Sequence, residues 1–111
     1  MAITATQSKA PASVTNIAMG SYIDTGTVSA TAARLYTGFK PRYVKVFNET
    51  SGDQIEWFEG MTAAYGLKKV AAGTNSEITS LGITVYNDGF LIGLDTDIRV
   101  TSEQLRWLAI G

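Results

Sequence analysis

The segment at residues 38–48 constrains the fold of this chain more than any other stretch. A turn signal, with Gly38 and Pro41, runs directly into a segment of alternating side chains with high β-propensity. Proline lacks an N–H, and at the start of a strand it costs no central hydrogen bond. The alternation puts two sets of side chains on opposite faces of a predicted strand: Arg42, Val44 and Val46 on one, Tyr43, Lys45 and Phe47 on the other.

Turn residues divide the rest of the chain into about eight or nine short strand candidates, and no segment has a convincing helical period. The candidates besides the first are residues 17–23, 26–36, 54–59, 67–72, 83–86, 90–94, 98–101 and 105–110, and residues 77–80 lead into Gly82. Gly82 predicts a bulge, and Asn87-Asp88-Gly89 predicts a hairpin turn because these residues tolerate positive φ. Such spacing is typical of a β-sandwich or barrel. We expect a single all-β, antiparallel β-sandwich, jelly-roll-like, with an immunoglobulin-like sandwich as the alternative.

Two segments also fit a helix. Residues 30–35 are rich in Ala and Leu, and residues 101–104 match a capping box. Only seven residues follow Gln104, and an isolated helix that short is marginal. We expect strands in both places.

Length and composition bound the class of protein. The 111 residues suit one domain, and a net charge of −1 excludes a nucleic-acid binder that neutralises phosphates broadly. The chain contains no Cys and no His, so disulfides and the commonest metal ligand and proton carrier are missing. No apolar run approaches the ~20 residues of a membrane helix, and the start of the chain does not resemble a secretory leader. We therefore expect no nucleic-acid or membrane partner.

The candidate residues for catalysis and metal binding have simpler interpretations. Glu56 and Glu59 point to opposite faces of a strand, and nothing in the spacing supports a glycosidase pair of Glu56 with Asp95. Asp88, Asp95 and Asp97 offer oxygen ligands for calcium, yet short Asp side chains also favour turns. Lys68 and Lys69 are predicted to be exposed at the edge of a turn. We expect no catalytic residue, no metal and no cofactor.

Charge is unevenly placed along the chain. Arg34, Lys40, Arg42 and Lys45 precede a run of acidic residues, Glu49, Asp53, Glu56 and Glu59. Separated patches suit docking to a symmetric partner, whereas cross-strand pairing inside a hairpin is the alternative, and we expect the second.

The aromatic residues are expected mainly in the core, where their bulk is needed: Phe39, Tyr43, Trp57, Phe58, Phe90 and Trp107. In residues 54–59, Trp57 and Phe58 lie on opposite faces. A strand with aromatics on both faces is expected between the core and a partner. The alternative is a sugar-stacking platform that uses Trp57 or Tyr65.

Residues 1–16 are mainly Ala, Thr, Ser and Gln, with few large apolar side chains. We expect an extended N-terminal arm at 1–16, laid across a neighbouring subunit, before a β-sandwich domain at 17–111. A first strand or a crystal contact is the alternative for this segment.

Several motifs resemble small virion structural proteins of tailed bacteriophages, over about residues 35–111. They are Gly-Phe-Lys-Pro-Arg-Tyr-Val at 38–44, Glu-Trp-Phe-Glu-Gly-Met at 56–61, Thr-Ser-Leu-Gly-Ile-Thr at 79–84, Gly-Phe-Leu-Ile-Gly at 89–93 and Leu-Arg-Trp-Leu-Ala-Ile-Gly at 105–111. The resemblance is to head decoration (cement) proteins and tail-fibre modules.

The resemblance implies a capsid decoration protein, made in the host cytoplasm, that binds the major capsid protein lattice on the phage head and stabilises it. It also implies self-association, as a homotrimer or another cyclic homo-oligomer. The expected partner-binding residues are arm anchors and lattice contacts: Ile3, Val14, Ile17, Met19, Arg34, Lys40 and Arg42. The alternative function is a tail-fibre module that binds a receptor glycan.

Overall fold

A computed structural model describes residues 16–25 and 32–111, and within these ranges the protein is all-β with no helix. The eight strands are β1 (Ile17–Ile23), β2 (Ala33–Tyr36), β3 (Tyr43–Asn48), β4 (Gln54–Phe58), β5 (Tyr65–Lys69), β6 (Asn75–Tyr86), β7 (Gly89–Ile92) and β8 (Gln104–Ile110). The prediction of an all-β chain is confirmed.

All eight strands belong to one antiparallel sheet with the order β1-β8-β3-β4-β5-β6-β7-β2. The sheet curls so that its two halves face each other, which gives the sandwich-like arrangement expected from the sequence. Phe90 of β7 meets Trp107 of β8 across the interior, with ring centroids 5.3 Å apart. β1 and β2 are the two edge strands.

The segment that dominates the sequence becomes β3, in the middle of one half of the sheet between β8 and β4. Its predicted alternation is confirmed, because Val44 and Val46 are fully buried while Phe47 on the opposite face is exposed. Pro41 is buried just before the strand begins. The core consists of residues from the concave, inner face of the sheet together with Ile98: Val44, Val46, Ile55, Trp57, Ile83, Phe90, Ile92, Leu105 and Ala109.

Irregular backbone appears in part where the sequence predicts it. Residues 77–80 and 83–86 form one strand, β6, whose pairing with β5 shifts near Gly82. Leu81, just before that glycine, has a φ of 62°. The Asn87-Asp88 hairpin joins β6 to β7, but residues 87–89 do not have the positive φ that we expected.

Near the C-terminus, one prediction is wrong and one is confirmed. Residues 98–101 form turns rather than a strand, because Asp95 organises the backbone there. Its side chain accepts hydrogen bonds from the N–H groups of Asp97 and Ile98, and its carbonyl accepts one from Arg99. The strand expected at 105–110 is present as β8, and no helix forms after residue 101.

Residues 93–103, which we call the cap segment, connect β7 to β8, and a buried ion pair ties them to the end of β1. The Arg99 guanidinium donates to both carboxylate oxygens of Asp24, at 3.1 and 2.9 Å, and the Tyr22 hydroxyl donates to the same carboxylate at 2.7 Å. The side chains of Arg99 and Asp24 are 0% and 5% exposed. Burial and the bond to Asp24 raise the pKa of Tyr22. The end of β1 is therefore fixed by buried charge.

A second ion pair ties the cap segment to β5 in the other half of the sheet. The Lys68 ammonium lies 3.0 Å from the Asp95 carboxylate and 2.6 Å from that of Asp97. Burial alone would lower the pKa of Lys68, but the hydrogen bonds to Asp97 and Asp95 outweigh it and raise the pKa. The sequence reading of Lys68 as an exposed turn residue is wrong, since its side chain is only 14% exposed.

The fully buried Asn48 fixes the remaining part of the cap segment. Its amide group donates to the Ile98 carbonyl at 3.0 Å and to the Glu103 carboxylate at 2.9 Å. Its side-chain oxygen accepts from the N–H groups of Thr50 and Ser51. Each of these bonds satisfies a polar group that burial would otherwise penalise.

Candidate interaction surface

The convex face of the half-sheet β1-β8-β3-β4, which we call the outer face, carries several exposed apolar side chains. Strand pairing aligns its residues in rows that cross the four strands. One row contains Ile17, Ile110, Tyr43 and Phe58; the next contains Met19, Leu108, Lys45 and Glu56; the third contains Ser21, Arg106, Phe47 and Gln54. The first row is apolar apart from the tyrosine hydroxyl.

The large side chains of this face are open to solvent. Met19 is 74% exposed and Ile17 53%, and Phe58 at the far side of the half-sheet is 46% exposed. Between β1 and β3, a shallow groove of about 220 Å³ is lined by Met19, Lys45, Phe47, Arg106, Trp107 and Leu108. Contiguous exposed apolar surface of this kind marks interaction sites in soluble proteins.

Polar bonds hold the side chains around the apolar rows. The Tyr43 hydroxyl donates to the Glu56 carboxylate, and the Tyr43 ring lies 5.2 Å from the Phe58 ring. Burial, followed by the bond to Glu56, raises the pKa of Tyr43. The Arg106 guanidinium donates to the Glu49 carboxylate at 2.8 Å. The outer face is therefore an ordered surface on which few charges lack a neighbour of opposite sign.

The edge of β1 presents backbone groups as well as side chains. Asn16 lies opposite Gly111, and the Asn16 carbonyl accepts a hydrogen bond from the Gly111 N–H at 2.8 Å. Because antiparallel pairing alternates along a strand, the even-numbered residues of β1 point their backbone groups toward β8. The odd-numbered residues, 17, 19, 21 and 23, point theirs away from the sheet. Within the described ranges, no strand pairs with this edge.

The partner-binding residues expected from the sequence are not gathered at one place. Ile17 and Met19 lie on the outer face, whereas Ile3, Val14 and the rest of residues 1–15 lie outside the described residues. Lys40 is exposed in the turn before β3. The Arg42 guanidinium donates to the Gly111 carbonyl at 3.1 Å, beside the first row of the outer face.

Arg34 lies at the opposite edge of the sheet, on β2. Its guanidinium forms an ion pair with Asp88 and lies over the rings of Tyr86 and Tyr36, at 4.0 and 4.9 Å from their centroids. Arg34 therefore belongs to a charged and aromatic cluster at the β2 edge, which is the opposite edge of the sheet from Ile17 and Met19.

The side chains considered for chemistry have structural partners. Glu56 accepts a bond from Tyr43, Asp88 pairs with Arg34, and both Asp95 and Asp97 pair with Lys68. Among the residues that the structure describes, no three acidic side chains come together as a metal site would require. Lys45 lies directly across from Glu56 in the pairing of β3 with β4.

The sequence analysis missed several outer-face residues. Phe47, Phe58, Leu108 and Ile110 are not among the expected partner contacts, although Phe58 was expected in the core. The signal for Phe58 was the presence of aromatics on both faces of residues 54–59. Trp57 fills the inner position and is 7% exposed, so the prediction that it lies in the core is confirmed.

The described ranges contain no helix long and apolar enough to cross a membrane. Comparisons with protein-family models, with curated proteins and with solved structures find no match to this chain.

Proposed function

We propose that this protein is a structural subunit of a tailed-bacteriophage virion that binds the major capsid protein lattice and stabilises the head. The observation that carries the proposal is the apolar outer face, where Ile17, Met19 and Phe58 are held exposed on a rigid half-sheet. The assignment to a virion and to the capsid lattice rests on the sequence motifs that resemble those of decoration proteins. Binding would be mechanical and would involve no catalysis.

The outer face supplies the main contact in this mechanism. Burying its apolar rows against neighbouring capsid subunits removes them from water, and a standard protein interface buries ~1,600 Å² in total. Lys40 and Arg42 lie near the first row and would contact acidic groups of the lattice. The segment before Asn16, with Ile3 and Val14, would add a contact with a neighbouring subunit.

Self-association is the second part of the proposal. A cyclic homo-oligomer repeats the same apolar face around a symmetry axis and so binds a symmetric lattice at several points at once. The near-zero net charge leaves little repulsion between copies.

The test uses heads of the phage that encodes this chain, grown with its gene deleted. We expect the purified protein to cosediment with these heads and to raise the temperature at which they break. Phe58→Asp should abolish binding, because it places a charge in the first apolar row. Phe58 belongs to β4, so the substitution does not alter the edge strand β1. Leu81→Asp is the matched control, since Leu81 is 50% exposed on a strand outside the outer face.

Two results would contradict the proposal. The first is the absence of the chain from purified virions by quantitative mass spectrometry. The second is equal binding by the Phe58→Asp and unchanged proteins.

The alternative function, glycan binding in a tail fibre, needs an exposed aromatic platform. Trp57 is buried, and its indole N–H donates to the Thr62 carbonyl, so it does not offer one. Tyr65 is half-buried. Detection of the chain in isolated tails together with specific binding on a glycan array would favour this alternative.

A further inference from the structure

The described residues of the edge strand β1 show none of the sequence features that normally prevent edge strands from pairing with other chains. Natural edges are protected by charged side chains, prolines, bulges or short length. β1 has seven residues, Ile-Ala-Met-Gly-Ser-Tyr-Ile, with no charge and no proline. Its pairing with β8 runs without a break from Ile17 to Ile23. Three of its four outer-face side chains are large, apolar and exposed.

The sequence of β1 is also complementary to itself. An antiparallel pairing centred on Gly20 places Ile17 opposite Ile23 of the second copy, and Met19 opposite Ser21 of the second copy. All four are odd-numbered residues, whose backbone groups point out of the sheet. Four facing pairs with two hydrogen bonds each give about eight hydrogen bonds. A register shifted by one residue would set even-numbered positions, which already bond to β8, against odd-numbered ones.

Side chains and charge suit the same register. The Ile17–Ile23 pairs are cross-strand contacts between β-branched residues, which stabilise sheets. Because β1 carries no charge, no like charges face each other across the two-fold axis, and the first charged position beside it, Arg106, is paired with Glu49. The two copies of Gly20 lie on either side of the axis, and the inner side of each is covered by the Trp107 ring.

We infer that two copies of this chain pair through their β1 strands, in antiparallel register about Gly20, to form a two-fold dimer with one continuous sheet. Both outer faces then lie on the same side of that sheet and form a double apolar surface. This dimer replaces the trimer expected from the sequence as the cyclic oligomer. The inference concerns self-association and holds whether or not the double surface binds a phage head.

The test is the mass of the full chain in solution, together with amide hydrogen exchange resolved by residue. We expect twice the chain mass of 11.9 kDa, and slow exchange at the amides of Met19 and Ser21. Met19→Lys places a charge beside the new pairing. It should weaken dimerisation by about tenfold or more and speed exchange at Ser21. Leu67→Lys, at an exposed leucine of β5 outside the outer face, is the control that should leave both readouts unchanged.

A spin label reports the register. With no cysteine in the chain, Ser21→Cys carries a single nitroxide. In the inferred register the two copies of residue 21 are diagonal neighbours, about 7–8 Å apart between Cα atoms. Strong dipolar broadening, lost in the double variant with Met19→Lys, would support the register.

Three outcomes would overturn the inference. A monomer with slow exchange at Met19 and Ser21 would mean that the chain covers its own edge. A monomer with fast exchange would mean that the edge stays open. An oligomer that keeps its mass in Met19→Lys, or shows no broadening, would be built on another surface.

Discussion

The two edge strands end the same sheet in different ways. β1 is seven residues long and uncharged, and it exposes Met19 and Ile17. β2 is four residues long and carries Arg34, which lies over Tyr86 and forms an ion pair with Asp88. A short edge with a charge is protected from pairing, whereas a long apolar edge is not. The comparison teaches that one edge of this sheet carries features that protect against edge pairing and that the described residues of the other edge do not.

The ion pairs beside the two edges differ as much as the edges do. Asp24 and Arg99 behind the end of β1 are almost completely buried, whereas the side chains of Arg34 and Asp88 are 27% and 58% exposed. Water screens the exposed pair, and the removal of one partner from a buried pair leaves a charge without compensation. The end of the edge strand β1 is thus held in place by the more deeply buried pair.

The largest expected effect comes from breaking the buried pair. Asp24→Asn removes the carboxylate that forms the ion pair with the buried Arg99 guanidinium, so we expect the free energy of unfolding to fall by about 3 kcal/mol. Urea unfolding followed by tryptophan fluorescence measures this. The matched change at the other edge, Asp88→Asn, should cost less than about 1 kcal/mol. Equal losses in the two variants would show that burial does not distinguish the pairs.

The second prediction compares the glycines that lie against the two edges. In Gly89→Ala, the new Cβ would lie 2.0 Å from the Leu35 carbonyl oxygen, which belongs to the backbone of β2. In Gly20→Ala, it would lie 2.6 Å from the Trp107 ring, a side chain that can shift. Overpacking costs about 1–3 kcal/mol, and we expect Gly89→Ala to be at the upper end. Hydrogen exchange should show β2 released in Gly89→Ala and β1 retained in Gly20→Ala; the reverse order would contradict the comparison.

The strands of this fold could be predicted from the sequence because alternation and turn residues act locally. β3, β4 and β8 each contain the side-chain alternation that the curled sheet buries, and the hairpin at Asn87-Asp88 is a local signal. The pairing order is not local. That β1 pairs with β8, and β2 with β7, depends on closing the sheet over long sequence separations.

The cap segment shows why other contacts of the fold could not be predicted from the sequence. The sequence places Asp24 and Arg99 75 residues apart, so their ion pair has no local signature. In the sequence, Lys68 is one of two adjacent lysines that predict an exposed turn. In the structure, the carboxylates of Asp95 and Asp97 lie beside its ammonium group. The alternation of residues 43–47 and 54–58 shows which side chains share a face. It does not show which face is exposed to solvent, because that depends on the side toward which the sheet curls.

The third prediction concerns the lysine that ties the cap segment to β5. The pKa of Lys68 is raised above its ordinary value of 10.5, so its contribution to stability is complete below pH 10.5 and is lost as the pH rises through the raised value. Lys68→Met should cost about 1–2 kcal/mol at neutral pH, because Asp95 keeps an almost buried carboxylate without its cation. It should also flatten the decline of stability above pH 10.5. Urea unfolding at several pH values measures both effects, and an unchanged alkaline slope would contradict the assignment.

The smallest expected change in folding stability comes from making the edge of β2 resemble that of β1. Arg34→Val removes an exposed ion pair and the contact with Tyr86, so the free energy of unfolding should fall by less than about 1 kcal/mol. The variant should nevertheless gain association that increases with concentration, since the remaining strand has no charge and its outward backbone groups belong to residues 34 and 36. Light scattering measures the mass. Lys69→Val is the control, because it removes a positive charge from β5, which is not an edge strand, and it should not increase association. Similar association in both variants would show that general hydrophobicity, and not the edge of β2, is responsible.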